Sequence, residues 1–162
     1  MKKNRNSKIL NSIVLLGIII TLLILIGTPL VLTAAFKTNQ ELMNSNFVTT
    51  MTVLIYICSA PYVGALVLLK KLCKLMSKQN PFSREIPSLI KKIGMCAFSE
   101  VLLFNGATIA AYYIHDVYLY ALTIVPCMIV SFVSLAIGFF ALVSANLFEM
   151  SIEIKEENDK TI

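Results

Sequence analysis

The sequence is short of charge: Asp, Glu, Lys and Arg make up 14% of its 162 residues, against 57% for the hydrophobic set. A soluble domain usually carries about 25% charged residues. So little charge excludes a surface wetted on all sides, and lipid is the expected solvent for most of the chain. Histidine is nearly absent, His115 standing alone. That excludes a His-Glu-x-x-His zinc pair, and the sequence holds neither a GxSxG elbow nor a phosphate-binding glycine loop. The four cysteines (Cys58, Cys73, Cys96, Cys127) stand singly, without metal-type spacing. They are expected to be reduced, small apolar residues. With no nucleophile–base pair, no second intramembrane carboxylate and no metal cluster, no enzymatic activity and no cofactor is expected.

What the chain has instead is long apolar runs. A helix rises about 1.5 Å per residue and the hydrocarbon core is about 30 Å thick, so about 20 mostly apolar residues suffice to span it. Four segments qualify, at about 9–35, 47–69, 93–114 and 118–148. Lys2, Lys3, Arg5 and Lys8 before the first run resemble the start of a signal peptide. The uncharged stretch 9–36 exceeds a signal peptide's apolar core of about 7–15 residues. An uncleaved first span is therefore expected. Each span must be helical, because backbone groups in lipid have no water to bond. Pro126 is expected to kink the fourth or to mark its first turns. The expected fold is all-α: a polytopic membrane protein forming one four-transmembrane-helix bundle.

Orientation follows from the basic residues, which carry the net charge of +5. Lys plus Arg number four in the N-terminus, one in the first loop, seven in the segment 70–92, none in the second turn and two in the tail 149–162. The positive-inside rule places the N-terminus, the 70–92 loop and the tail in the cytoplasm, with the protein multi-pass in the cell membrane. His115 and Asp116 then form an outward turn, flanked by Tyr112, Tyr113, Tyr118 and Tyr120 as interfacial anchors. A basic balance interleaved with apolar spans encodes topology, so no direct nucleic-acid contact is expected.

The cytoplasmic loop has helical spacing of its own. Leu68, Leu69, Leu72, Leu75 and Met76 share a face, with Lys70, Lys71, Lys74 and Lys78 interleaved. The second helix is expected to continue toward Gln79, and Asn80-Pro81 to turn the chain. Ser83 is the expected N-cap of the third helix, with Glu85 in its first turn and Pro87 tolerable only there. The loop thus reads as a helical hairpin extension. Lys70, Lys71, Lys74, Lys78, Phe82, Arg84, Lys91 and Lys92 make it a candidate surface for anionic inner-leaflet lipids or for a docked protein. The acidic tail (Glu149, Glu153, Glu156, Glu157, Asp159) is a candidate partner for it across the inner face.

Two polar residues stand inside the third span. Glu100 lies seven residues beyond Ile93, about 10 Å along a helix. A carboxylate there is costly unless paired or hydrated. Three readings stay open: a polar lock between helices through Ser59, Tyr62, Ser144 or Asn146, a ligand-sensing group, or proton or ion movement. Asn105 points to another side and is expected to bond across helices. Small residues Ser134, Gly138, Ala141 and Ala145 recur at i, i+4, i+7 and i+11 of the fourth span. Ala60-xxx-Gly64 and Gly106-xxx-Ala110 repeat the pattern. Such stripes let backbones approach, within one protein or between copies in a homo-oligomer.

The run Lys78-Gln79-Asn80-Pro81-Phe82-Ser83, followed by Lys91-Lys92-Ile93-Gly94, and the tail Lys155-Glu156-Glu157-Asn158-Asp159-Lys160-Thr161-Ile162 resemble a bacterial membrane family described as domain of unknown function 2975, the YoaS-like proteins. The resemblance runs over the whole chain. Pro87 departs from it where the family continues a polar helical run, and Lys160 where the family is apolar. The resemblance implies no activity. It implies a neighbouring gene for a small helix-turn-helix regulator, and hence a membrane partner that holds or releases a DNA-binding protein. The expected function is a non-enzymatic regulatory or sensory membrane protein. The alternatives are an oligomeric transporter or channel, or a membrane immunity or envelope-stress protein.

Overall fold

Four helices form because each apolar stretch must close its backbone hydrogen bonds within itself. In the computed structural model they are α1 (Lys2–Phe36), α2 (Ser45–Ser77), α3 (Glu85–His115) and α4 (Ala121–Lys160). The structure describes residues 2–36, 45–77, 83–115 and 121–160. The Asn80-Pro81 turn, Lys78, Phe82, Asp116, Tyr118 and Tyr120 lie outside the described residues. All four helices are long and apolar enough to cross a membrane.

The helices differ from expectation in length and arrangement. The tail is not a separate polar segment: α4 runs unbroken for 40 residues, through Lys160. At about 1.5 Å per residue that is about 60 Å, twice the hydrocarbon thickness. The segment 70–92 follows expectation where it is described, since α2 continues to Ser77 and α3 starts at Glu85. His115 is the last residue of α3 rather than a turn residue. Nor do the helices close into a bundle. Among the described residues α1 packs on α2, α2 on α3 and α3 on α4, and no other pair touches. The chain is an open row of antiparallel neighbours. The physical reason is that lipid is as apolar as a leucine side chain, so nothing forces α1 onto α4 to hide their faces. Leu30, Leu102, Phe132 and Phe140 are accordingly each about three-quarters exposed.

Burial concentrates at one end. Cys73 of α2, Ile86, Pro87, Leu89 and Ile90 of α3, and Ala141, Ala145 and Ile152 of α4 are the well-buried residues there. Leu72 and Phe148 pack against them. This knot gathers the C-terminal end of α2 and the middle and later part of α4 around the start of α3, across one edge of the expected spans. Where water replaces lipid, apolar side chains gain by hiding from it, at about 25 cal/mol per Å². Ser83 caps α3 as its type predicts: its Oγ accepts from the Glu85 N–H at 3.3 Å and its carbonyl from the Ile86 N–H at 3.0 Å. Pro87 falls in the first turn, where its missing N–H breaks no helical bond. Its ring is fully buried.

The α3–α4 seam is the tightest. A Cβ at Gly94 would stand 3.2 Å from the Ala141 Cβ and 3.2 Å from the Gly138 carbonyl oxygen. The stripe on α4 therefore packs within one chain. The other two small-residue pairs do not pack this way: Gly106 has open space around it, and Gly64 meets only the Cys96 Sγ, at an ordinary 3.8 Å.

Candidate functional site

The row of helices bends into a groove of about 650 Å³, with α3 as its floor and α2 and α4 as its walls. Its lining is almost wholly apolar. Leu54 and Ile55 come from α2, Phe104 and Ala107 from α3, and Val133 and Ile137 from α4. Glu100 lines the same groove, one helical turn before Phe104. Its Oε2 is buried and has no hydrogen-bond partner among the described residues.

None of the four partners considered for a polar lock at Glu100 bonds this oxygen. Ser59 and Tyr62 do line the groove, but the Ser59 hydroxyl donates to the Tyr56 carbonyl of its own helix at 2.9 Å. Ser144 and Asn146 are not part of the lining, since they lie two or more turns beyond Ile137 on α4. The lock falls instead to Asn105. Its Nδ2 donates to the Ser131 Oγ of α4 at 2.8 Å and to the Val101 carbonyl at 2.7 Å. One turn on, Thr108 Oγ1 and Cys127 Sγ lie 3.2 Å apart. Hydrogen bonds of this kind between membrane helices average about 0.6 kcal/mol and reach about 1.7 kcal/mol. A double-mutant cycle on Asn105→Ala and Ser131→Ala should give a coupling in that range, measured by unfolding in bicelles. Strict additivity of the two substitutions would contradict the bond.

A further contact was not anticipated from sequence. Pro29 sits inside α1 and has no N–H for the Leu25 carbonyl four residues earlier. The Tyr56 hydroxyl of α2 donates to that carbonyl at 3.0 Å. A proline within a span marks a freed carbonyl at i−4, and a tyrosine on the next span is a natural donor. That was the available signal.

At the knot, the tail reaches back to the start of α3. Arg84 pairs with Glu156 through two hydrogen bonds, at 3.0 and 2.6 Å. Lys91 pairs with Glu149 at 2.8 and 2.9 Å. Glu149 and Glu156 are seven residues apart, so one face of α4 presents both. The Arg84 guanidinium holds the Glu156 carboxyl below its ordinary range, and that carboxylate in turn raises Arg84. Both residues of the Arg84–Glu156 pair are exposed to solvent, and such pairs contribute about 0–1 kcal/mol. Of the expected docking surface, Arg84 and Lys91 are thus engaged with the tail. Lys70, Lys71, Lys74 and Lys92 are exposed and carry no ion pair among the described residues.

No curated protein and no solved structure matches this sequence. The model of one family does, over residues 32–162, which covers α2, α3, α4 and the end of α1 but leaves out most of the first helix. The chain therefore belongs to the family described as protein of unknown function DUF2975.

Proposed function

We propose that this protein is a non-enzymatic membrane regulator whose basic end docks a small cytoplasmic helix-turn-helix transcription regulator. The observation that carries the reading is the knot. It is a buried cluster of α2, α3 and α4 residues at one edge of the expected spans, and the helices beside it display Lys70, Lys71, Lys74 and Lys92 without counter-ions among the described residues. The distribution of Lys and Arg supports a cytoplasmic place for this end and for both termini, in the cell membrane. The family resemblance supports a DNA-binding partner.

The fold supplies a means of communication. Ile86 in the knot and Glu100 in the groove lie on one unbroken helix, fourteen residues and about 21 Å apart. A change around Glu100 that tilts α3 moves both ends of the same rod. For a ligand to bias docking, the row must have two arrangements with different affinities for it. A transporter or channel would need several copies, because the row encloses no pathway among the described residues.

The test uses the full chain in lipid nanodiscs and a purified helix-turn-helix regulator of the kind the family resemblance implies. Binding is expected, with the triple substitution Lys70→Glu, Lys71→Glu, Lys74→Glu weakening it at least tenfold. No binding to the unsubstituted chain, or equal binding to the charge-reversed one, rejects the proposal.

A further inference from the structure

We propose that the groove between α2, α3 and α4 is a binding site for a lipophilic ammonium compound, with the protonated amine on Glu100 and the apolar body lying along Phe104 and Ala107. The volume of about 650 Å³ falls within the range of about 300–1,000 Å³ that drug-sized ligands occupy. The walls are built for an apolar body. The carboxylate decides what else the occupant must carry.

Glu100 Oε2 is buried with no hydrogen-bond partner among the described residues. None of the groove's hydroxyls, on Ser59, Tyr62, Thr108 and Ser134, bonds it; Ser59 donates to the Tyr56 carbonyl and Thr108 to the Phe104 carbonyl. Paired with a cation, Glu100 is an ionised carboxylate, which only accepts hydrogen bonds. An occupant that satisfies it must therefore donate, and a positive charge makes the bond short and strong. A lipid acyl chain fills the apolar part and leaves the oxygen orphaned. A second copy of this chain cannot supply the counter-charge from within its spans, because the segments 9–36, 47–69, 93–114 and 118–148 contain no Lys, Arg or His. Acidic ligands are repelled. What remains is a small amphiphile with an N–H-bearing cation, entering sideways from the bilayer. The way in is open, because α1 touches α2 alone and does not roof the groove. The inference stands whether or not the basic end docks a regulator.

The experiment measures equilibrium binding of propranolol, a fluorescent lipophilic secondary amine, to the full chain in nanodiscs. Empty nanodiscs correct for partition into lipid. An isostere with the amine replaced by an ether oxygen is the neutral control. Saturable binding to the chain is expected, with the neutral isostere at least tenfold weaker. Glu100→Gln should weaken the amine at least tenfold, and Ala107→Phe, which fills the groove and keeps the carboxylate, should weaken it too. Uptake no greater than in empty nanodiscs overturns the proposal, as does equal affinity for amine and ether. If either variant does not fold, the comparison of the two ligands on the unsubstituted chain still decides.

Discussion

Gly94→Val should detach much of α3 from α4, lowering stability by about 1–3 kcal/mol, the usual cost of forcing extra carbons into a packed site. The cost belongs at the upper end because one of the obstructing atoms is backbone: the first added carbon already stands 3.2 Å from the Gly138 carbonyl oxygen. A side chain in the way can change rotamer, whereas a carbonyl in a helix can move only with the helix. Gly106→Val is the matched control on the same helix, because nothing lies within 4 Å of a Cβ there. Removing a glycine from a helix recovers part of its cost of about 0.8–1 kcal/mol, so this variant should be neutral or slightly more stable. SDS-induced unfolding in bicelles, followed by circular dichroism, separates the two. Equal loss in both variants would mean that glycine matters here for backbone freedom and not for the close approach of α4. Gly94 lies six residues before Glu100, so spreading the seam also widens the groove. The same variant should therefore bind lipophilic amines less tightly.

The spans and the Ser83 cap were legible because each depends on residues close together in sequence, and the α4 stripe and Asn105 because their residue types inside a span point to a partner helix. Four apolar runs separated by charge admit little but four spanning helices. Ser83 acts through local geometry, and the face shared by the stripe is reproduced by a helical wheel, which does not say that Ser131 stands opposite Asn105. The pairing of tail and loop was also foreseen, though not the form it takes. Glu149 and Glu156 meet Lys91 and Arg84 because α4 stays helical past Phe148 and holds the two acids on one face. A signal for that helix was present in Phe148 and Ile152, which stand four apart and turn toward α3.

What was not legible is how the helices are arranged. In water a helix betrays its neighbours by the apolar stripe it must hide. In lipid both faces are apolar, and no stripe says whether α1 should meet α4. Leu102 and Leu54 are the same residue type, yet one faces lipid and the other lines the groove. The expectation of a four-helix bundle did not foresee the open row for that reason, and the sequence could not choose among the partners considered for Glu100. A single carboxylate announces itself in a sequence, but whether a donor stands opposite depends on helix order, which composition does not encode.

The second large effect concerns the knot, and it follows from the change of solvent along α3. Ile86 is fully buried against Ile90, Ala141 and Ala145, at the end of the row that extends below the expected spans. Ile86→Ala should cost about 2–5 kcal/mol, combining lost transfer energy with the cavity left behind. Leu102→Ala removes a comparable side chain from the same helix, but Leu102 is 76% exposed and meets lipid. Its loss opens no cavity, and its effect should stay within about 0.5 kcal/mol. Cys73 offers a direct reading, being only 2% exposed and next in sequence to Leu72, which packs against the same cluster. In a chain with Cys58, Cys96 and Cys127 replaced by alanine, maleimide should label Cys73 slowly. Ile86→Ala should speed that labelling by well over tenfold, since each 1.4 kcal/mol shifts an opening equilibrium tenfold, while Leu102→Ala should leave the rate unchanged. If Cys73 reacts equally fast in all three chains, the knot is not a cooperatively packed unit. A regulator docked on its lysines would then have no rigid surface through which a change at Glu100 reaches it.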